Sequence, residues 1–196
     1  MRPDLDWLCL SDYRAIIRQT PVPTLFSHPA VPLAIAAGLG RSTVNWRLAV
    51  LGVLVSMLPD IDVLSFRLGI PYGHPFGHRG ATHSLGFAVL IALLAVAVAA
   101  RLKTRPVGIG LFVFVTAVSH PLLDMLTNGG HGVALLWPIS NERYFFPVQV
   151  ITVTTLDLQK FFGPAGLLVL GSEMRWVWLP CGMLALFLVL WRRRSV

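Results

Sequence analysis

The sequence predicts an all-α fold: a polytopic helical membrane protein with four to five membrane-embedded helices. Three observations carry that prediction. The 196 residues are 55% hydrophobic and only 13% charged, with a mean hydropathy of +0.71, against roughly 25% charged residues in ordinary soluble domains. The apolar residues come in runs that approach the length of a bilayer span. The ionisable residues gather at the ends of those runs. The length is that of one domain, and no internal repeat or low-complexity linker divides it. The expected organisation is therefore an amino-terminal segment, 1–27, followed by a single helical membrane domain, 28–196.

Residues 1–27 contain no uninterrupted apolar core and carry Asp4, Asp6 and Asp12, which does not fit a cleavable signal peptide. Leu5, Leu8, Cys9, Tyr13, Ile16 and Ile17 form a helical stripe opposite Asp6, Arg14 and Arg18, so a short interfacial helix is expected, ending before Pro21 and Pro23. The run from Pro29 to Leu39 is too short to span and reads as a half-helix packed inside protein. Trp46 to Leu58 reaches spanning length only if Asn45 and Asp60 sit at the interfaces. Residues 84–100 form the clearest span, since seventeen residues at 1.5 Å give about 26 Å. Residues 107–126 form another, with Ser119, His120 and Asp124 in its last third, and Trp176 to Trp191 form a final span with tryptophans at both ends. Between them, Pro147 to Thr155 has strand-like valines, and Gly163 to Leu170 is an apolar stretch whose relation to the bilayer the sequence leaves open.

The formal charge of +7 does not form a basic stripe with interleaved aromatics, which argues against nucleic acid. Arg101, Lys103, Arg105 and Arg192 to Arg194 lie between or after apolar runs, the pattern of membrane topology and contact with anionic lipid. With alternating spans, these residues share one side with Arg41 and Arg47. Arg2, Arg14, Arg18, Arg67, Arg79, Arg143, Lys160 and Arg175 fall on the other. The counts tie at eight each, but the first set sits in short loops next to span ends, which predicts a cytoplasmic carboxyl terminus. Cys9 and Cys181 lie far apart in sequence, so no disulfide is expected.

The same alternation brings seven residues to one, outward, face. His28 enters the first segment, Asp60 and Asp62 leave the second, His78 and His83 enter the third, and His120 and Asp124 leave the fourth. His120 and Asp124 are four apart on a helix and can aim an imidazole nitrogen and a carboxylate oxygen at one point. Taken singly, each has a bland alternative: a turn residue for Asp60 after Pro59, a hydrogen-bonded pair for His120 and Asp124. Taken together they suit a divalent metal, Zn²⁺ first and Mn²⁺ or Fe²⁺ next. Thr82 and Ser84 can orient His83 or cap the following helix. Arg79 either neutralises an anionic substrate or pairs with Asp60 or Asp62. Ser140, Asn141, Glu142 and Arg143 either hold a phosphate or form a polar turn. His74 and His131 read as loop residues, and Phe145 with Phe146 as an interfacial anchor.

His28, Pro59-Asp60-Ile61-Asp62, the stretch His78-Arg79-Gly80-Ala81-Thr82-His83-Ser84, Ser119-His120-Pro121-Leu122-Leu123-Asp124 and the Pro138 to Arg143 turn occur in an order that resembles the YdjM-type membrane-bound, metal-dependent hydrolases. The resemblance covers about residues 27–150. That family is in turn distantly similar to zinc-dependent phospholipase C and P1-type nucleases. The resemblance implies His28, Asp60, His78 or His83, His120 and Asp124 as ligands of one or two ions, with Asp124 able to bridge two. The later His and Glu ligands of the soluble enzymes have no counterpart here, which argues against a three-metal cluster. The implied function is an inner-membrane hydrolase of a phosphoric ester, acting on a lipid-borne or membrane-proximal phosphate. Asp62, by elimination a free carboxylate, is expected to take the proton of the attacking water, and Arg79 to face the substrate. The alternative is a non-catalytic metal- or proton-binding transporter, since intramembrane His and Asp serve that purpose too.

Overall fold

The computed structural model describes residues 21–22, 26–102, 105–155 and 163–194. Among them are five helices: α1, Ala30–Leu39; α2, Trp46–Met57; α3, Leu85–Ala97; α4, Pro106–Met125; and α5, Pro164–Arg194. A two-residue antiparallel pairing joins β1, Pro21–Val22, to β2, Thr154–Thr155. The expected amino-terminal interfacial helix lies outside the described residues.

Asn45 starts α2 by accepting the Leu48 amide on its side-chain oxygen at 3.0 Å. At Pro59 the missing amide breaks the α pattern, and the chain tightens into a 3₁₀ helix, Leu58–Leu68, that Gly69 ends in a left-handed turn. The continuous segment Trp46–Leu68 is 23 residues long and apolar enough to cross a bilayer. Sequence alone stopped this span at Leu58 and put Asp60 at its polar end; both aspartates instead sit inside the helical segment. With three residues per turn, Pro59, Asp62 and Ser65 form one buried stripe.

The clearest span of the sequence is shortened. α3 has 13 residues, about 20 Å, before the chain enters a 3₁₀ turn at Ala99–Leu102. The long candidates are Trp46–Leu68, the 20-residue α4 and the 31-residue α5. α5 absorbs both the Gly163 to Leu170 stretch and the tryptophan-flanked run, joined by a π turn at Met174–Trp178. The strand-like valines yield little strand: Ile151 makes a single bridge to Thr127 beside the short β2.

Small side chains let the helices approach. Ala88, Ala92, Ala95 and Ala99 form a buried stripe in one cluster with Ile109, Phe112, Val113 and Ala117 of α4 and Leu48 and Val55 of α2. Gly52 is where α2 meets α4: a Cβ there would lie 2.6 Å from the Phe112 ring. On the far side, α5 packs along α1, and Arg192 Nη1 donates to the Gly38 carbonyl at 3.2 Å. Gly52→Leu should therefore lower stability by about 1–3 kcal/mol, seen as a depressed thermal midpoint in detergent. Gly182→Leu, where a Cβ meets nothing, should leave the midpoint within experimental error of the parent.

Candidate metal centre

Five elements deliver one cluster. His28 comes from the turn before α1, Asp60 and Asp62 from the 3₁₀ end of α2, His78 and Arg79 from the loop after it, His83 from a 3₁₀ turn at Ala81–His83, and His120 with Asp124 from the last turns of α4. The four histidines, Arg79 and Asp124 are fully buried, and Asp60 keeps 14% of its side chain exposed.

His120 and His83 face each other with Nε2 atoms 3.0 Å apart. His83 Nε2 lies 3.2 Å from Asp124 Oδ2 and 3.8 Å from Asp60 Oδ1. His120 Nε2 lies 3.5 Å from Asp60 Oδ1 and 3.7 Å from Asp124 Oδ2. His28 Nε2 approaches the other oxygen of each carboxylate, Asp60 Oδ2 and Asp124 Oδ1, both at 3.8 Å. Donors bound at 2.0–2.2 Å around one tetrahedral ion stand about 3.4 Å apart, so these spacings are those of a ligand shell. Both carboxylates turn one oxygen toward His83 and His120 and the other toward His28.

The far sides of the rings fix which nitrogen faces inward. His120 Nδ1 donates to the Ser56 carbonyl at 2.6 Å, and His83 Nδ1 donates to Asp62 Oδ2 at 3.0 Å. Each Nε2 therefore presents a lone pair to the cluster, the role of carboxylate or carbonyl partners behind metal-ligating histidines. His28 stacks on His120 with ring centroids 3.7 Å apart. Burial and the neighbouring His120 push its imidazole down to about 3, so its ring is neutral. Burial opposes a charge on His83 as well, but the carboxylates beside it, Asp124, Asp60 and Asp62, outweigh it and, when no metal is bound, hold that imidazole well above its usual range. Both ring nitrogens of His28 and Asp124 Oδ1 lack a hydrogen-bond partner among the described residues, while Asp124 Oδ2 has ion-pair contacts with Arg79 and His83. Orphaned buried acceptors of that kind fit a bound cation.

Asp62 is not the free carboxylate expected from elimination. It accepts from His78 Nδ1 at 2.6 Å, the Arg79 amide at 3.1 Å and the Thr82 hydroxyl at 2.6 Å, besides His83. Three of these donors meet Oδ2 and His78 meets Oδ1, so the carboxylate braces both histidines. Of the alternatives His78 and His83, it is His83 that meets Asp60, His120 and Asp124. Among the described residues His78 falls in a separate group with Asp62 and His83; its Nδ1 is held by Asp62 and its Nε2 has no hydrogen-bond partner.

Arg79 reaches Asp124, not Asp60 or Asp62: its Nε lies 3.1 Å from Asp124 Oδ2, and Nη1 donates to the Gly129 carbonyl at 2.9 Å. Nη2 has no hydrogen-bond partner among the described residues. The residue sits at φ 59°, an unusual angle for a side chain of this size. Gly130 makes room for it, because a Cβ there would lie 2.8 Å from Arg79 Nη1. Arg143 holds the surrounding loop: Nη1 donates to the carbonyls of His78, Arg79 and Gly132, and Nη2 to those of Tyr72 and His74. Spent on backbone carbonyls, it is not placed to hold a phosphate. Burial lowers its pKa and raises that of Tyr72, whose hydroxyl oxygen accepts the His131 amide at 3.4 Å.

Ser84 caps α3, accepting the Phe87 amide at 3.0 Å, while Thr82 serves Asp62. His74 and His131 are exposed loop residues. No sequence signal points to the Ser56 carbonyl, a backbone group, or to the clasp made by Arg143, whose partners are all main-chain oxygens.

Comparison with known proteins identifies the family. The family described as YdjM inner membrane protein matches residues 24–195. Inner membrane protein YbcI of Escherichia coli (strain K12) is 48% identical over 174 residues, which is 88% of this chain and all of that protein. Inner membrane protein YdjM of the same organism is 36% identical over 120 residues, 54% of this chain and 56% of that protein, and YdjM of Shigella flexneri matches equally. No solved structure matches. The chain belongs to the YdjM family of inner membrane proteins.

Proposed function

We propose that this inner membrane protein is a metal-dependent hydrolase of phosphoric esters, acting on a phosphate carried by a lipid or held at the membrane surface. The observation that carries the reading is the set of nitrogen-to-oxygen spacings of 3.2–3.8 Å among His28, Asp60, His83, His120 and Asp124. Zn²⁺ suits this mixed imidazole and carboxylate set, and Mn²⁺ or Fe²⁺ fits it next. His83 and His120 would hold an ion with Asp60 Oδ1 and Asp124 Oδ2. His28, with the second oxygens of both carboxylates, would hold another. A divalent ion so held supplies Lewis acidity, polarising a phosphoryl oxygen and making water a competent nucleophile near neutral pH.

The chain's own residues do the rest. Asp62 holds His83 and His78 in place, and Ser56 fixes the His120 tautomer. Arg79, whose Nη2 is unspent beside Asp124, meets a phosphoryl oxygen and orients it. Asp60 is the ligand at the open edge, and exposed Phe26, Ile61 and Leu64 lie close to His28 and Asp60 in sequence. Exposed apolar side chains close in sequence to two of the site residues suit a substrate with a hydrocarbon tail. Arg41, Arg47, Arg101, Arg105 and Arg192 to Arg194 lie at the helix ends away from the cluster, which supports a cytoplasmic carboxyl terminus and a site toward the outer face. On that topology α1 and α3, too short to span alone, are embedded beside the three long helices.

Three substitutions test the reading on protein purified in detergent. Asp124→Asn keeps the size of the side chain and removes its charge, and metal content after dialysis should fall at least about 100-fold in affinity. Wild-type metal content in this variant would remove Asp124 from the ligand set. Asp62→Asn loses the brace behind His83, and metal should bind about 10–100-fold more weakly while the elution profile stays that of the parent. Arg79→Lys should keep its metal and lose about two orders of magnitude in phosphate release from a panel of phospholipids and polyprenyl phosphates. A wild-type protein that binds metal yet cleaves nothing in that panel would favour transport or storage of the ion.

A further inference from the structure

Glu173 is a carboxylic acid buried to 1% exposure in α5, the longest of the helices and apolar enough to cross a bilayer, one residue before the π turn at Met174–Trp178. An acidic side chain inside a span is unfavourable for insertion and marks a function by default, and π turns recur at functional sites. None of the roles assigned above uses it. The Ser27 hydroxyl donates to Glu173 Oε1 at 3.5 Å, across 146 positions of sequence.

Ser27 immediately precedes His28, and its carbonyl accepts the Ala30 amide at 3.1 Å, turning the chain into α1. Neither ring nitrogen of His28 has a hydrogen-bond partner among the described residues. His83 and His120 are each braced from behind, by Asp62 and by the Ser56 carbonyl. His28 Nδ1 has no such brace among the described residues, and the ring is set by its stacking on His120 and the course of its own backbone. That backbone is held against α5: Val177, four residues after Glu173 and so on the same helix face, is buried with Ala30 and Ile151 in one apolar cluster.

We infer that Glu173 is a positioning residue of the metal centre: by accepting from Ser27 it fixes the turn that aims His28 at Asp60 and Asp124. α5 then belongs to the centre although it supplies no ligand. The inference rests on the metal reading above and adds to it the element that holds its otherwise unbraced histidine.

The test measures Zn²⁺ affinity of the full chain in detergent by competition with a chromophoric chelator. Glu173→Leu removes the acceptor and suits an apolar span better than the acid does, so weaker binding cannot be blamed on insertion. Ser27→Ala removes the donor, and Glu173→Gln keeps an accepting oxygen. Glu173→Leu and Ser27→Ala should each weaken Zn²⁺ binding by about tenfold or more, and Glu173→Gln by about threefold at most. The double variant should bind no more weakly than the weaker single, because both changes break one contact. Wild-type affinity in either Ser27→Ala or Glu173→Leu overturns the inference, as do losses that add in the double variant. If Glu173→Leu aggregates, Ser27→Ala and Glu173→Gln decide the matter by the same criteria. A wild-type chain that takes up no Zn²⁺ overturns the metal reading and this inference together, an outcome distinct from either variant matching a wild type that binds.

Discussion

Two imidazole nitrogens, His83 Nε2 and His120 Nε2, stand 3.0 Å apart in a dry interior. Their Nδ1 protons are committed to Asp62 and to the Ser56 carbonyl, so both inward atoms carry lone pairs. Lone pairs at that distance repel, and only a cation between or beside them, a proton or a metal ion, turns the approach into an attraction. Much of the surrounding architecture serves to hold this approach. α4 must bring His120 up from below, the Ala81–His83 turn must bring His83 from the side, and the 3₁₀ end of α2 must place Asp60 and Asp62 where they counter the cation. Side-chain pairs that need a cation are weak sources of stability but strong constraints on geometry.

The loop between α2 and α3 meets that constraint with main-chain chemistry. In a bilayer-embedded protein an unsatisfied carbonyl is expensive, and the stretch from Tyr72 to Arg79 is irregular backbone. Arg143 answers by donating to five carbonyls from one guanidinium. The unusual φ of Arg79 persists because its amide is held by Asp62 and its carbonyl accepts from the Ala134 amide at 2.9 Å. Arg79 and Asp62, the brace of the histidines, are thus set by one network, so a change at Arg143 acts on the centre without touching it.

The sequence made the buried cluster legible because its members are rare residue types in an apolar chain. Six histidines and nine acidic residues against so hydrophobic a background leave few ways to explain His120 with Asp124, or Asp60 with Asp62, other than as a site. The helix ends were less legible for the same reason. A continuous apolar background carries no 3.6-residue contrast, so the shortening of α3 to Ala97 and the merging of two runs into α5 left no periodic mark. The roles of the two neighbouring aspartates were also out of reach. Asp60 and Asp62 are two apart, and in a 3₁₀ segment that step turns the second one away from the ligand shell toward His78 and Thr82; in a turn, the conformation Pro59 suggests, either could have been free. Glu173 was hidden by distance, since its partner lies at the other end of the chain.

Charge balance says how many ions such a site tolerates. Within the cluster, Asp60, Asp62 and Asp124 bring three negative charges and Arg79 one positive, while the ligating histidines are neutral when bound to metal. The deficit is two positive charges. In a medium of low dielectric that deficit cannot be left to solvent, so the centre without metal must hold protons instead, and the raised His83 is the first place for one. A single divalent ion closes the balance with no substrate present. A second ion held near His28 would leave two positive charges in excess, which a phosphate monoester dianion, of the substrate class proposed above, would balance. Binding of the second ion and binding of a doubly charged phosphate are then coupled through electrostatics alone, and the unspent Nη2 of Arg79 adds to the same preference for a dianion over a neutral ester.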